Sequence, residues 1–166
     1  MKAASLRFLM NLYPPFIGAG VRVIHISDDY LAIDVRMRLT RWNRNYVGTQ
    51  FGGSLYSMTD PFYMLMLMQH IARDHIVWDQ AARIDFLKPG RGTVHARFRL
   101  TPAQIADIRT QAATGKATRP ELVVDVVDDA GEVIARVHKT LYVRLKPTLR
   151  PPAAAEISAP ATDLTE

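Results

Sequence analysis

From residue 31 to residue 40, apolar and polar positions alternate without interruption. Leu31, Ile33, Val35, Met37 and Leu39 fall on one side, and Ala32, Asp34, Arg36, Arg38 and Thr40 on the other. A period of two with one apolar face predicts a strand that covers a core on one side only. Residues 21–27, ahead of Asp28-Asp29, supply its partner in a hairpin. More strands are predicted downstream. Ala82, Ile84 and Phe86 alternate with Arg83 and Asp85 and stop at Lys88-Pro89-Gly90-Arg91-Gly92. Val94, Ala96, Phe98 and Leu100 alternate with His95, Arg97 and Arg99. Residues 122–127 and 133–143 flank Asp128-Asp129-Ala130-Gly131, a strong hairpin turn signal.

Helical periodicity appears in three places. Residues 3–13 read as a short amphipathic helix stopped by Pro14-Pro15, and residues 16–20 as a turn-rich link to the first strand. Thr101-Pro102 opens a modest helix through about Ala113, with Thr as N-cap and Pro at the first helical position. The third stretch, from Gly52 to about Ile71, is apolar on every side over residues 62–68. Such a helix lies either in a membrane or inside protein. The apolar stretch from Pro61 to Met68 is far short of the roughly 20 residues a span needs. Only the apolar faces of the strands are available to enclose it. Trp78-Asp79, between this helix and the next strand, reads as a turn with an anchoring Trp. The expected fold is therefore α+β, a long antiparallel sheet of five to six strands wrapped around one central helix. One domain is expected over residues 1–146, including the short helix at 3–13. A Pro/Ala-rich tail over 147–166 is expected to be disordered.

Charge changes this picture only at first sight. The 166 residues carry a net +5 and a pI near 9.7, which raises nucleic acid, a membrane surface or an anionic small molecule as partners. Yet Arg36, Arg38, Arg83, Arg97, Arg99, Arg136 and His138 all fall on the face away from the core, interleaved with Asp34, Asp85 and Asp125. A solvated sheet face accounts for them. No nucleic-acid motif accompanies them, so neither nucleic acid nor membrane is expected as a partner. The absence of cysteine excludes disulfides, thiolate zinc sites and cysteine nucleophiles. His25, His70, His75, His95 and His138 show no metal-ligand spacing, and no metal is expected. Arg7 and Asn11 interrupt the first apolar run and Pro14-Pro15 follow it closely, unlike a signal peptide. A cytoplasmic location is the expectation.

Candidate chemistry concentrates in residues 42–61. Gly52 and Gly53 open the apolar helix, where backbone N–H groups and the helix dipole favour a carbonyl oxygen or a developing oxyanion. Asp60 stands at the edge of the all-apolar portion, and a carboxylate there is costly unless paired or functional. A plain structural alternative has Asp60 satisfied by Ser57 or Tyr56, or capping a second helix that starts at Pro61. Gly52 and Asp60 are eight residues apart, about 12 Å along a helix. One reacting carbonyl cannot lie ~3 Å from both. If both act on one substrate, the carboxylate must come from a second copy of the chain.

The run Asn45-x-x-Gly48-Thr49-x-x-Gly52-Gly53, with Asp60-Pro61 following, resembles the hotdog-fold thioesterases of the phenylacetate-pathway type. With Trp42, Arg44-Asn45, Phe51-Gly52-Gly53-Ser54, Val77-Trp78-Asp79 and Phe86-Leu87-Lys88-Pro89-Gly90, the pattern is closer still to a hotdog branch classed as a domain of unknown function. The resemblance covers roughly residues 5–145. It implies a hotdog fold and an acyl-CoA thioester hydrolase, working as a homodimer or a dimer of dimers (homotetramer). Gly53 N–H would polarise the thioester carbonyl, and Asp60 of the other protomer would activate water or attack as a nucleophile. Asn45 would help place the carbonyl or the water. Gly52, Phe51, Gln50, Ser57 and Tyr56 would line the substrate site. Lys88 and Arg91 would meet coenzyme A phosphates, although exposed turn charges explain them equally well. Coenzyme A enters only as part of the substrate, and no separate cofactor is expected. Phe51 departs from the pattern, since those enzymes commonly carry His before Gly-Gly. A non-catalytic acyl-CoA or fatty-acyl binding protein is the alternative.

Overall fold

The structure, a computed structural model, describes residues 1–149. Its frame is one antiparallel sheet of six strands: β1 (Val21–Ile26), β2 (Ala32–Arg38), β3 (His75–Phe86), β4 (Thr93–Arg99), β5 (Glu121–Asp128) and β6 (Val133–Leu145). The order across the sheet is β1-β2-β4-β5-β6-β3, which leaves β1 and β3 at the edges. On β2 the alternation expected from the sequence holds. Ile33, Val35 and Met37 are fully buried, and Arg36 and Arg38 are exposed. On the outer face, Arg99 pairs with Asp34 at 2.6 Å and Arg136 with Asp125 at 2.7 Å, so opposite charges do face each other across neighbouring strands.

Among the described residues five α-helices accompany the sheet: α1 (Ala3–Leu12), α2 (Pro14–Ala19), α3 (Gly52–Ser57), α4 (Phe62–Ile71) and α5 (Pro102–Ala112). The link expected at residues 16–20 is instead helical, as Pro14 and Pro15 end α1 and then occupy the first turn of α2, where their missing N–H groups cost nothing. Asn11 of α1 bonds both the N–H and the C=O of Val23, each at 2.9 Å, and so satisfies backbone groups on the edge strand β1. Thr101 and Gln104 form a reciprocal capping box at the start of α5. At the β5–β6 hairpin, the Asp128 carboxylate accepts from Ala130 and Glu132 N–H, and Gly131 takes the positive φ of 84° that the turn requires.

The expected single helix over 52–71 is in fact two. Pro61 has no N–H to donate and disfavours helical backbone in the residue before it, so α3 ends at Ser57 and α4 starts at Phe62. The chain passes between them through a cis Asp60–Pro61 bond. A 12 Å separation reckoned along one continuous helix therefore does not describe Gly52 and Asp60. α4 packs Phe62, Tyr63, Met66, Leu67 and Ile71 into the core, with the Phe62 and Phe98 ring centroids 5.0 Å apart. Met64, Leu65 and Met68 are only half-buried, so the described residues do not fully enclose this helix. No helix among the described residues is long and apolar enough to cross a membrane. Of the tail expected from residue 147, Pro147–Leu149 form a 3-10 turn, and residues 150–166 lie outside the described residues.

Candidate active site

Two neighbourhoods carry polar chemistry, one at each end of α3. The first is its entrance. Phe51 is in the extended N-cap conformation, and the first helical bond runs from Leu55 N–H to Phe51 O at 3.0 Å. That leaves the N–H groups of Gly52, Gly53 and Ser54 at the open end. Aromatic rings flank the two glycines. A Cβ on Gly53 would lie 2.5 Å from Phe51 Cε1, and one on Gly52 would lie 3.0 Å from Phe86 Cζ. Glycine is required where rings approach the backbone this closely. A cavity of about 360 Å³ opens beside Gly52, lined by Asn45, Val47, Gln50, Leu55, Phe86 and Lys88 among others. A second, of about 490 Å³, opens beside Gly53 between Trp42, Arg44 and Phe51.

The loop before α3 is held by its own amides. Asn43 is buried, accepts from Thr40 N–H at 2.7 Å, and donates to Ala19 O and Arg38 O. Asn45 accepts from Thr49 N–H at 2.9 Å and donates to Thr49 Oγ1 and Gln50 O. Both its amide hydrogens are thus used inside the loop. Gln50 is buried and donates to Gly92 O at 3.0 Å, while its N–H donates to Gly90 O. Lys88 reaches the 360 Å³ cavity but pairs with Glu132 on the surface, and Arg91 is exposed.

The second neighbourhood surrounds Asp60 at the break between α3 and α4. Neither Ser57 nor Tyr56 satisfies the Asp60 carboxylate, and α4 has no side-chain cap. Instead, Oδ1 accepts a 2.7 Å charge-assisted hydrogen bond from Lys139 Nζ, while the Asp60 side chain stays 44% exposed. Lys139 itself is completely buried. Its ammonium also lies 3.2 Å from Asp79 Oδ1 and 5.3 Å from the centre of the Tyr56 ring. Burial pulls the Lys139 ammonium down, but the Asp60 hydrogen bond and the two carboxylate charges outweigh it, and the group is held above the ordinary lysine range. Asp79 behaves oppositely: burial pushes its carboxyl up to about 6, against the pull of Lys139.

Asp79 owes its position to a bulge. On β3, Asp79 pairs with Leu141 and Ala81 with Thr140, so Gln80 is the extra residue. Val77 and Asp79 therefore share the inward face with Ala82, Ile84 and Phe86 despite the change from odd to even numbering. Trp78 and Asp79, expected in a turn, belong to the strand. Trp78 is on the outer face, stacked on Tyr142 with ring centroids 4.0 Å apart. Lys139 has a readable signal in the sequence: it interrupts the inward series Ala135, Val137, Leu141 and Val143, all buried. The remaining candidates are scattered, with His95 beside Asp129 and His138 beside Arg83 and Asp85.

Known structures resemble this architecture along nearly its whole length. A Pseudomonas aeruginosa protein of unknown function, described as a probable thioesterase, superimposes with TM-score 0.77 at 19% identity over 88% of this chain and 97% of its own. A thioesterase of Haemophilus influenzae gives 0.61 at 15% identity over 93% and 96%. A mutant form of a second P. aeruginosa thioesterase gives 0.63 at 12% identity over 86% and 94%. At such identities the likeness concerns the fold. Among functionally curated proteins none matches the sequence. Residues 2–143 match the family described as Domain of unknown function (DUF4442). The antiparallel sheet packed on α3 and α4 is a hotdog fold, and the chain belongs to the DUF4442 family.

Proposed function

We propose that the protein is a thioesterase that hydrolyses acyl-CoA at a site shared by two protomers. The observation that carries this reading is Asp60, a half-exposed carboxylate at a helix break with one oxygen fixed by a fully buried lysine. Water attacks the thioester carbonyl carbon while Asp60 takes its proton, or Asp60 attacks directly and water later releases the acyl group. The carbonyl oxygen gains negative charge in either route, and in this scheme the Gly53 N–H at the start of α3 stabilises it. The C–S bond then breaks, and the coenzyme A thiolate leaves and takes up a proton. Asn45, with its amide hydrogens engaged by Thr49 and Gln50, serves this scheme by shaping the loop. Two features favour a second protomer. Among the described residues the 12-residue edge strand β3 has one side unpaired, and α4 leaves Met64, Leu65 and Met68 half-open. The likeness to solved thioesterases agrees with this chemistry.

The test is release of free coenzyme A across a series of acyl-CoA lengths. Asp60→Asn is expected to lower kcat by about 100-fold or more, as for loss of a general base. Unchanged turnover in that variant would remove Asp60 from the reaction. Light scattering at micromolar concentration should report a dimer or larger, and a monomer would contradict the shared site. One observation favours the alternative of acyl-CoA or fatty-acyl binding without turnover: the Phe51 ring lies against Gly53, where the carbonyl would dock. Tight binding with no coenzyme A release would select it.

A further inference from the structure

We propose that Lys139, backed by Asp79, is a positioning residue that orients Asp60, a role that rests on Asp60 being the reactive carboxylate. Lys139 is the one charged member of an inward-facing apolar series on β6, and its cross-strand neighbours Ala82 and Leu122 offer it no charge. Burying an ammonium in that setting is costly unless it is paired. A lysine kept only for packing needs a single buried counter-ion. Lys139 has two carboxylates instead, and they differ in kind. Asp79 is 19% exposed and lies behind the ammonium, while Asp60 is 44% exposed and lies ahead of it. The cluster thus links the interior of the sheet to a carboxylate that faces outward at the helix break.

The geometry divides the labour. Lys139 holds Oδ1 of Asp60 at 2.7 Å, which restricts the carboxylate at the helix break. Asp79 holds the same ammonium at 3.2 Å and so fixes Lys139 against Asp60. The groups that face the ammonium are Tyr56 from α3, Asp60 from the α3–α4 connection and Asp79 from β3. The bulge at Gln80 is what turns Asp79 inward to complete the set.

The experiment is steady-state hydrolysis of acyl-CoA by the full chain, with urea unfolding to confirm that each variant folds. Lys139→Met and Asp79→Asn are each expected to lower kcat about tenfold or more while KM stays within about twofold, and Lys139→Arg to restore part of the loss. Unchanged kcat in the folded variants, or a loss carried by KM, overturns the proposal. If Lys139→Met does not fold, Asp79→Asn decides alone, since it keeps the Lys139–Asp60 pair. If the wild type releases no coenzyme A, the thioesterase reading fails, and carboxyl ¹³C NMR of the chain labelled at aspartate, with Asp60→Asn used to assign the Asp60 signal, still decides whether Lys139 and Asp79 position Asp60. The Asp60 signal shifts or broadens in the folded variants if they do and is unchanged if they do not.

Discussion

Replacing Asp79 by asparagine copies the protonated form of that carboxyl, and this makes its effect on stability calculable. Asp79 is 19% exposed, and among the described residues neither of its oxygens makes a hydrogen bond of good geometry. Burial pushes the carboxyl up to about 6 from an ordinary 3.8, with Lys139 pulling it down and nearby Asp60 adding to the rise. The folded state therefore binds more protons than the unfolded chain between those two values. Stability must fall as pH rises through that window, and the whole deficit is present above it. At 1.36 kcal/mol per pH unit the deficit is on the order of 3 kcal/mol. The asparagine side chain has no charge to desolvate and can donate to Asp60. Urea unfolding at pH 4, 6 and 8 checks this. Wild type and Asp79→Asn should be nearly equal at pH 4, with the variant more stable at pH 8 and melting roughly 5 to 10 °C higher. A difference that is flat across pH, or a wild type that gains on the variant as pH rises, would refute the reasoning. A gain in stability at the expense of kcat is what a charge retained for function entails.

The other predictions concern the entrance of α3 and the scaffold. Phe51→Ala removes the ring lying against Gly53 and is expected to raise kcat/KM for acyl-CoA hydrolysis several-fold; a lower value would assign the ring to substrate binding. Asn43→Ala leaves Thr40 N–H, Ala19 O and Arg38 O without their partner, at a cost of about 2 to 4 kcal/mol in urea unfolding. Thr101→Ala breaks the capping box of α5 for about 1 kcal/mol and should leave coenzyme A release unchanged.

Which parts of the fold could be read from the sequence follows from which forces act locally. β2 and β4 alternate cleanly because each buries one face and solvates the other, and the structure follows that alternation residue by residue. β3 was legible only in its second half. Its inward residues are odd-numbered up to Asp79 and even-numbered from Ala82, and the bulge that reconciles them is set by pairing with β6, which no local pattern records. The split of α3 from α4 had its signal in Pro61, but the unbroken apolar run on either side argued for a continuous helix. Tertiary burial explains that run equally well in two helices.

The site was legible in the same uneven way. Asp60 stood out because the residues around it are apolar, and the structure gives that anomaly a partner rather than a cap. The partner itself was hidden, since a lysine 79 positions away announces itself only to a reader who has already fixed the phase of β6. Once the phase is set by Ala135, Val137, Leu141 and Val143, Lys139 is as anomalous as Asp60. Two such anomalies in one core, of opposite sign, constrain each other. The fully buried Lys139 is not tolerable without a counter-ion, whereas the half-exposed Asp60 is. Asp79 is a third, which a pair used only for folding does not call for, and it costs stability at neutral pH. An ion pair kept for structure alone would improve by losing Asp79. The presence of three charges where two would fold better is the physical support for the proposal that Lys139 and Asp79 serve Asp60 at the α3–α4 break.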